Sequence, residues 1–281
     1  PVTAIRMATL NAAECFDLKD RGAIAPGYRG DVVLLDDLKD FHVNRVFVEG
    51  ELVAEEGKYL PEIKKCDIAS VKGSVIVKDF SKEKFKMHLK SNKVNVIQIL
   101  PGGVVTAKDT AEIELDANGE FVRNPEVDLV KVAVVERHQG TGNVACGFLK
   151  GYGIKEGAVA LSVAHDSHNI IVVGVNDEEM EFAVNSLIEQ EGGIVLVKEG
   201  KVIESMPMPI AGLMSDQSGE WVDQKLTDIH EKAYEELGIC GDVEPVMTLC
   251  FMSLAVIPEI KLTDMGLFDV TTFSFIPVEV E

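Results

Sequence analysis

Basic residues are outnumbered in this chain. Its 281 residues include 27 lysines and arginines against 47 aspartates and glutamates, which gives a formal net charge of −20 at pH 7. Nucleic acid and anionic membrane surfaces are bound by cationic protein faces, so we predict neither as a partner. A small neutral metabolite is compatible with this charge.

Long apolar runs and paired cysteines are also missing. No apolar run approaches the roughly 18 residues that predict a membrane-spanning helix, and the first residues lack the basic and apolar regions of a signal peptide. An odd number of cysteines without Cys-x-x-Cys spacing argues against a disulfide framework or a structural zinc site. We therefore predict a reduced, cytoplasmic protein. The cysteines are Cys15, Cys66, Cys146, Cys240 and Cys250.

The most informative feature that is present is a run of five polar residues, 165–169, inside an apolar stretch from residue 158 to residue 175. The flanking segments are rich in β-branched residues, which predicts strands buried on both faces. Buried polar groups without partners are costly, so we expect this pentapeptide to be hydrogen-bonded or functional. The composition, 46% hydrophobic and 26% charged, is typical of a globular protein.

Two interpretations of the pentapeptide stay open. His165 and His168 could bind a divalent metal or contact a substrate, with Asp166 as an oxygen ligand or as a partner that orients a ring. Their three-residue spacing is not the helical spacing of His-Glu-x-x-His, and no third ligand is close in sequence. Alternatively, the residues form a polar turn whose side chains satisfy one another. The pentapeptide precedes a strand, whereas ligands of open parallel sheets gather at carboxyl ends, which favours an interface or a structural role.

Residues 136–143, which follow a predicted strand, form a second candidate. Their glycines match neither the dinucleotide fingerprint nor the phosphate loop, which argues against a nucleotide-binding α/β protein, and we interpret the glycines as a turn. His138 and Arg137 remain candidates for a site shared with His165 and His168. Further along, Lys261 and Asp264 are predicted to form an ion pair, with a contact to a neighbouring molecule as the second interpretation.

The remaining pattern predicts a mixed αβ chain. Residues 4–16 carry apolar residues at helical spacing. Three strand-like runs between residues 22 and 57 are too few to bury a core, so we expect them to pair with a later part of the chain or with another polypeptide. From residue 61 the chain is mixed, with a helix predicted at 81–89 and strands at 74–77, 94–99, 104–106, 111–115 and 130–135.

A strand–helix–strand unit follows the pentapeptide. Asn176 with Glu179 three residues later is a capping arrangement, and Gly192 and Gly193 end the helix before a strand at 194–197. We expect this crossover to produce at least one parallel strand pair. A second helix is predicted over residues 219–237, with Gly238 ending it.

Two groups of segments carry a resemblance to known enzymes. The first resembles the end of an amidohydrolase-superfamily enzyme, where the last barrel helix precedes the returning half of a small β-sandwich; it comprises residues 4–14, 22–27 and 30–36. The second resembles the C-terminal domain of the bacterial adenine deaminase family; it comprises residues 163–169, 209–215 and 254–267. These segments are spread along the sequence, and the resemblance as a whole covers essentially the entire chain.

The resemblance implies a mixed αβ fold in three parts. Residues 1–20 would be the last helix of a (β/α)8 barrel, residues 21–60 the returning strands of the β-sandwich, and residues 61–281 a mixed-sheet αβ domain. It also implies hydrolysis of adenine to hypoxanthine and ammonia in purine salvage, through attack of a metal-bound hydroxide at C6. The divalent metal, manganese or iron, would be held by a His-x-His pair and other residues that this chain does not contain.

We therefore expect the chain to be the C-terminal half of such an enzyme, to be inactive alone, and to need the N-terminal half as its partner, in a homo-oligomer. No catalytic or metal-binding residue is assigned to it. The candidates for contact with substrate or with the barrel are His138, His165, Asp166, His168 and Asn169. The alternative is a non-catalytic capping or oligomerisation domain.

Overall fold

A computed structural model describes residues 1–102 and 104–280 of the chain. The chain divides into two compact units, Pro1–Asp67 and Ile68–Glu281. None of the helices within the described residues is both long and apolar enough to span a membrane.

The first unit is a helical segment and one small sheet. The predicted helix runs as α1 (Val2–Arg6), a π-helical turn (Met7–Asn11) and α2 (Ala12–Cys15). An antiparallel sheet follows in the order β1-β2-β3-β4, with β1 at Val32–Leu35, β2 at Val43–Val48, β3 at Glu51–Glu55 and β4 at Lys58–Tyr59. Ala13 is the one buried residue of the unit.

The apolar face of the first helical segment remains open. Together with β1 it lines a cavity of about 620 Å³, and the Phe16 side chain on its rim is 76% exposed. The sheet draws all four of its strands from residues 32–59, so the predicted pairing with a later strand does not occur within the described chain.

The second unit is built on an eight-stranded sheet in the order β14-β13-β11-β12-β9-β10-β5-β6. Its strands are β5 (Lys93–Ile99), β6 (Thr106–Glu112), β9 (Leu129–Val135), β10 (Val144–Lys150), β11 (Ala158–Leu161), β12 (Ile170–Gly174), β13 (Gly193–Lys198) and β14 (Lys201–Pro207). Between β6 and β9, the short strands β7 (Glu114–Leu115) and β8 (Phe121–Val122) pair with each other.

Both faces of this sheet are covered, as the continuous apolar runs predict. Val132 and Val134 of β9 face a core shared with α4 (Gly219–Glu235) and α5 (Pro245–Cys250). Ala133 and Val135 face the opposite core, shared with α3 (Asp177–Glu189). A three-stranded sheet made of β15 (Ile260–Thr263), β16 (Gly266–Asp269) and β17 (Ser274–Phe275) also packs on the first side.

The helix cap predicted at Asn176 is present, and a second cap is found at Ser218. The Asn176 side chain accepts a hydrogen bond from the Glu179 N–H at 2.8 Å, at the start of α3. The Ser218 side chain accepts one from the Trp221 N–H at 3.3 Å, at the start of α4. Each cap satisfies a backbone donor that the first helical turn leaves free.

The expected crossover pair is wrong in one respect. Strands β12 and β13 flank α3 but do not pair with each other, because β11 lies between them and is antiparallel to both. The parallel pair of this sheet is β5 with β10. Strands β11 and β12 therefore form a long hairpin, and the polar pentapeptide lies in the loop that joins them.

Predictions for the segment before β5 are also corrected. The helix expected at 81–89 is a single 3-10 turn, Lys82–Phe85, because the next backbone N–H groups, of Met87 and His88, donate instead to the Glu120 carboxylate, both at 3.1 Å. Residues 74–77 form no strand, although the Ile76 N–H donates to the Arg137 carbonyl at 2.8 Å. In place of the separate strands expected at 104–106 and 111–115, one strand, β6, runs from Thr106 to Glu112, and the short β7 takes residues 114 and 115.

Candidate functional site

The histidine loop, residues 165–169, is held at its base by buried polar contacts. Ser162, just after β11, donates its hydroxyl to the Gly212 carbonyl at 2.6 Å and accepts the Gly193 N–H at 2.7 Å. The His165 N–H donates to the Cys250 carbonyl at 2.8 Å. The loop is therefore tied to three distant segments of the second unit, at Gly193, Gly212 and Cys250.

The two imidazoles of the loop lie close together. The ring centroids of His165 and His168 are 5.4 Å apart in an edge arrangement, and the other neighbour of His165 is the Phe251 ring at 4.9 Å. Both histidines are half-buried, whereas Asp166 and Ser167 are exposed. The two rings are neighbours, and a functional site at this loop stays a prediction.

His168 is placed to be a neutral imidazole. Burial lowers its pKa below the ordinary value for histidine, and electrostatic repulsion from its neighbours, the Arg137 guanidinium among them, lowers it further. Its Nδ1 is buried and has no hydrogen-bond partner within the described residues. A neutral ring can accept a hydrogen bond or bind a metal, so the Nδ1 atom of His168 can still interact with a ligand.

Asn169 has the opposite character, because both ends of its amide are committed. It is buried, its Oδ1 accepts the Arg137 N–H at 3.3 Å, and its Nδ2 donates to Asp264 at 3.2 Å. The second oxygen of Asp264 accepts from Asn143 at 3.4 Å. Asn169 therefore joins strand ends to the β15–β16 hairpin and is a structural residue of the site.

The ion pair predicted between Lys261 and Asp264 is wrong. Lys261 lies fully buried in β15 and donates its Nζ to the Val104 carbonyl at 2.9 Å, while Asp264 serves the two asparagines. Lys261 is buried within β15, whereas Asp264 lies in the turn between β15 and β16, so the two side chains take different partners. Burial lowers the pKa of Lys261 to about 8.

The glycine-rich segment after β9 is a turn organised by Glu136. Its carboxylate accepts the backbone N–H groups of His138 at 2.5 Å, Gln139 at 2.7 Å and Thr141 at 2.9 Å. His138 is exposed and its Nε2 donates to the Ser167 carbonyl at 2.7 Å. The His138 side chain, which lies at the surface, thus contacts the backbone of the histidine loop.

Arg137 is the largest fully buried side chain near the loop. Only 1% of it is exposed, and its Nε donates to the His168 carbonyl at 2.5 Å. Its sequence signal was weak, because nothing local distinguishes a buried arginine from a solvent-facing one at a strand end.

The described residues do not fit a metal centre. Within residues 1–102 and 104–280, no group of three or more His, Cys, Asp or Glu side chains is arranged to hold a metal ion. His165 and His168 supply two neighbouring imidazoles, but the described residues place no third ligand with them. Beside them, a cavity of about 300 Å³ shares Phe251 as a wall, with Ile99, Leu100, Val243, Met247 and Thr248.

Comparison with known proteins places two family matches on the chain. A model of the adenine deaminase C-terminal domain matches residues 103–274, and a model of the amidohydrolase family matches residues 1–53. The first match covers the histidine loop, Arg137 and the whole eight-stranded sheet beyond β5.

Curated relatives match along almost the full chain. Adenine deaminase 2 of Desulfotalea psychrophila is 66% identical over 279 residues, which are 99% of this chain and 48% of that protein. Adenine deaminase of Ligilactobacillus salivarius is 49% identical over 281 residues, which are 100% of this chain and 49% of that protein. The chain spans about half the length of the curated relatives it matches.

Proposed function

The chain belongs to the family of adenine deaminase C-terminal domains, and on that premise we propose that it is the C-terminal half of an enzyme that hydrolyses adenine to hypoxanthine and ammonia. The observation that carries this proposal is the 66% identity to a protein named adenine deaminase, across 99% of the chain. Purine salvage in the cytoplasm is the setting that the proposal implies.

The metal chemistry is proposed to reside in the half of these relatives that has no counterpart in this chain. The amidohydrolase match at residues 1–53 supports a metal-dependent whole enzyme, and we propose manganese or iron as the divalent metal. The described residues offer no centre to hold it, so no catalytic step is assigned to this chain. Residues 1–20 and 21–60 are proposed to complete the barrel and the β-sandwich, and residues 61–281 to form the C-terminal domain, in a homo-oligomer.

We assign the histidine loop to the surface that faces the catalytic half, where it contacts purine or excludes water. Exposed methionines connected to the loop support this role. Met265 accepts a hydrogen bond from Asn143, Met247 lies in the cavity wall with Phe251, and Met214 follows the turn that holds Arg137. They are 67%, 51% and 58% exposed respectively. Exposed apolar side chains are common at interaction surfaces, and methionine adapts its shape to a partner.

The first experiment tests the division of labour. The 281-residue chain, supplied with manganese or iron, is expected to show no release of hypoxanthine from adenine. Co-expression with the half of the Desulfotalea psychrophila protein that the chain does not cover is expected to give a stable, active complex. Turnover by the purified chain alone, or a stable complex that leaves adenine unchanged, would contradict the proposal.

The second experiment tests the loop in that complex. His165→Ala and His168→Ala are each expected to lower kcat/KM by about tenfold or more, which corresponds to loss of one contact of about 1.4 kcal/mol. His88→Ala is the matched control, since His88 is 72% exposed and pairs with Glu120 away from the loop. If the loop variants lower only the stability, the capping-domain alternative is correct.

A further inference from the structure

We propose that Arg137 is a positioning residue that sets the conformation of the histidine loop through the His168 carbonyl. This inference rests on the proposed role of that loop. Arg137 does not itself contact the outside of the molecule, because 1% of it is exposed. It acts on the imidazoles through the backbone that carries them.

The first observation is that the guanidinium is buried without a carboxylate. Its sequence neighbour, Glu136, directs both carboxylate oxygens to the turn at residues 138–141. No ion pair joins Arg137 to any acidic side chain of the described residues. Burying a cation without a counter-ion is unfavourable, and an apolar side chain of similar volume would cost less. Stability alone therefore does not explain this arginine.

The second observation is the set of groups that the guanidinium and its backbone reach. The Nε donates to the His168 carbonyl at 2.5 Å and Nη2 donates to the Ala211 carbonyl at 3.2 Å. The backbone N–H donates to Asn169 at 3.3 Å, and the backbone carbonyl accepts from Ile76 at 2.8 Å. One residue thus joins the histidine loop to two segments that are distant in sequence.

The third observation is a glycine that fits the guanidinium. A Cβ at Gly212 would lie 2.7 Å from Nη1 and 3.0 Å from Cζ of Arg137, and Gly212 has a φ of +72°. The carbonyl of the same glycine accepts the Ser162 hydroxyl at the base of the loop. The turn at residues 210–214 and the guanidinium are therefore matched in shape, and a larger residue would displace the arginine.

The planar fork of arginine is what this arrangement requires. Nε and Nη2 donate in different directions from one rigid group, to two carbonyls on different segments. A lysine has a single ammonium on a flexible stem and cannot hold both carbonyls in a fixed relation. Hence a conservative exchange at this position is expected to loosen the His168 backbone while keeping the charge.

The experiment compares Arg137→Lys and Arg137→Met in the 281-residue chain and in its complex with the uncovered half of the Desulfotalea psychrophila protein. In the chain, NMR signals of the His165 and His168 rings are expected to shift and broaden in both variants, with those of His230 unchanged. Arg123→Met is the matched control, because Arg123 also donates to a carbonyl, that of Ile154 at 3.0 Å, away from the loop.

In the complex, Arg137→Lys is expected to lower kcat/KM by about tenfold, and added guanidinium ion to restore part of the activity of Arg137→Met. If the arginine acts through the loop, Arg137→Met combined with His168→Ala is no worse than His168→Ala alone, since coupled sites are not additive. Should Arg137→Met not fold, Arg137→Lys and Gly212→Ala decide the question through the same ring signals.

The outcomes separate the two proposals. Unchanged ring signals and unchanged kcat/KM in Arg137→Lys overturn the positioning role while leaving the role of the loop intact. Full additivity of the Arg137 and His168 variants also overturns it. If instead the ring signals move but neither the histidine nor the arginine variants alter kcat/KM, the positioning role stands and the proposed function of the loop fails.

Discussion

The two units of the chain differ in how much of their apolar surface is buried. In Pro1–Asp67 only Ala13 is buried, and side chains of its sheet such as Leu34 remain 43% exposed. In Ile68–Glu281 the central strands β9, β11 and β12 are buried throughout and both sheet faces carry a core. The second unit therefore contains the stabilising interactions of a domain, whereas the first presents apolar residues that suit a partner.

The largest expected effect comes from matched leucine truncations. Leu161→Ala removes a side chain that is 0% exposed in β11 and should lower the free energy of unfolding by about 4 kcal/mol, the transfer and cavity cost of a core leucine. Leu34→Ala, at 43% exposure in β1, should lower it by less than about 0.5 kcal/mol. Urea unfolding followed by fluorescence of Trp221, the single tryptophan, measures the first, and calorimetry measures both.

An equal loss of unfolding free energy in the two leucine variants would contradict this difference between the units, because it would show a core in the first unit. The same two variants also test the proposed function. If the uncovered half of a relative packs on the first unit, Leu34→Ala should weaken the complex although it leaves the isolated chain unaffected.

The next effect depends on pH, and concerns the lysine that the second unit buries. Burial holds the pKa of Lys261 at about 8, below its unfolded value. The charged form of Lys261 therefore destabilises the folded state. This penalty is complete below about pH 8 and disappears as the pH rises from about 8 to about 10.4. Lys261→Met should raise the free energy of unfolding at pH 7 by up to about 3 kcal/mol, with a gain that shrinks toward pH 10.

The control for this lysine is Lys58→Met, which alters an exposed lysine of β4 in the first unit. Only the difference between variant and parent is used, because the half-buried Cys146 and the buried Cys250, whose pKa values burial raises to about 12, add opposite contributions in the same pH range. A difference that stays constant from pH 7 to pH 10 would show that Lys261 is not perturbed by burial.

The smallest effect comes from two glycines with similar backbones. Gly157, with a φ of +68°, faces the Val197 carbonyl, which would lie 2.0 Å from an added Cβ, whereas Gly57, with a φ of +76°, has nothing within 4 Å. Both alanine variants share the strain of a left-handed residue. Gly157→Ala should therefore be less stable than Gly57→Ala by about 2 kcal/mol, the cost of moving packed backbone. Equal melting temperatures in calorimetry would contradict this close approach.

Much of the second unit followed from patterns within a few residues. Apolar runs predicted β9, β11, β12 and β13, and the Asn176 cap predicted the start of α3. These features depend on short-range periodicity and backbone capping, which a sequence displays directly. The family resemblance was confirmed as well, through motifs that span the chain.

The errors arose where partners are distant in sequence. The helix expected at 81–89 is interrupted because Glu120 captures the N–H groups of Met87 and His88. The crossover after the pentapeptide does not pair its own strands because β11 inserts between them. In each case a tertiary contact outweighs local preference, and local preference was all that the pattern contained.

The amino-acid order established the charge, the buried strands, the capped helices and the membership of a family, because these reside in neighbouring residues or in motifs. The tertiary structure alone decided which polar residues of the pentapeptide are available for chemistry. Arg137 reaches the His168 carbonyl across 31 positions, Asn169 reaches Asp264 across 95, and Lys261 reaches Val104 across 157. Hydrogen bonds are satisfied by whatever the folded chain brings within about 3 Å, and only the fold specifies those neighbours.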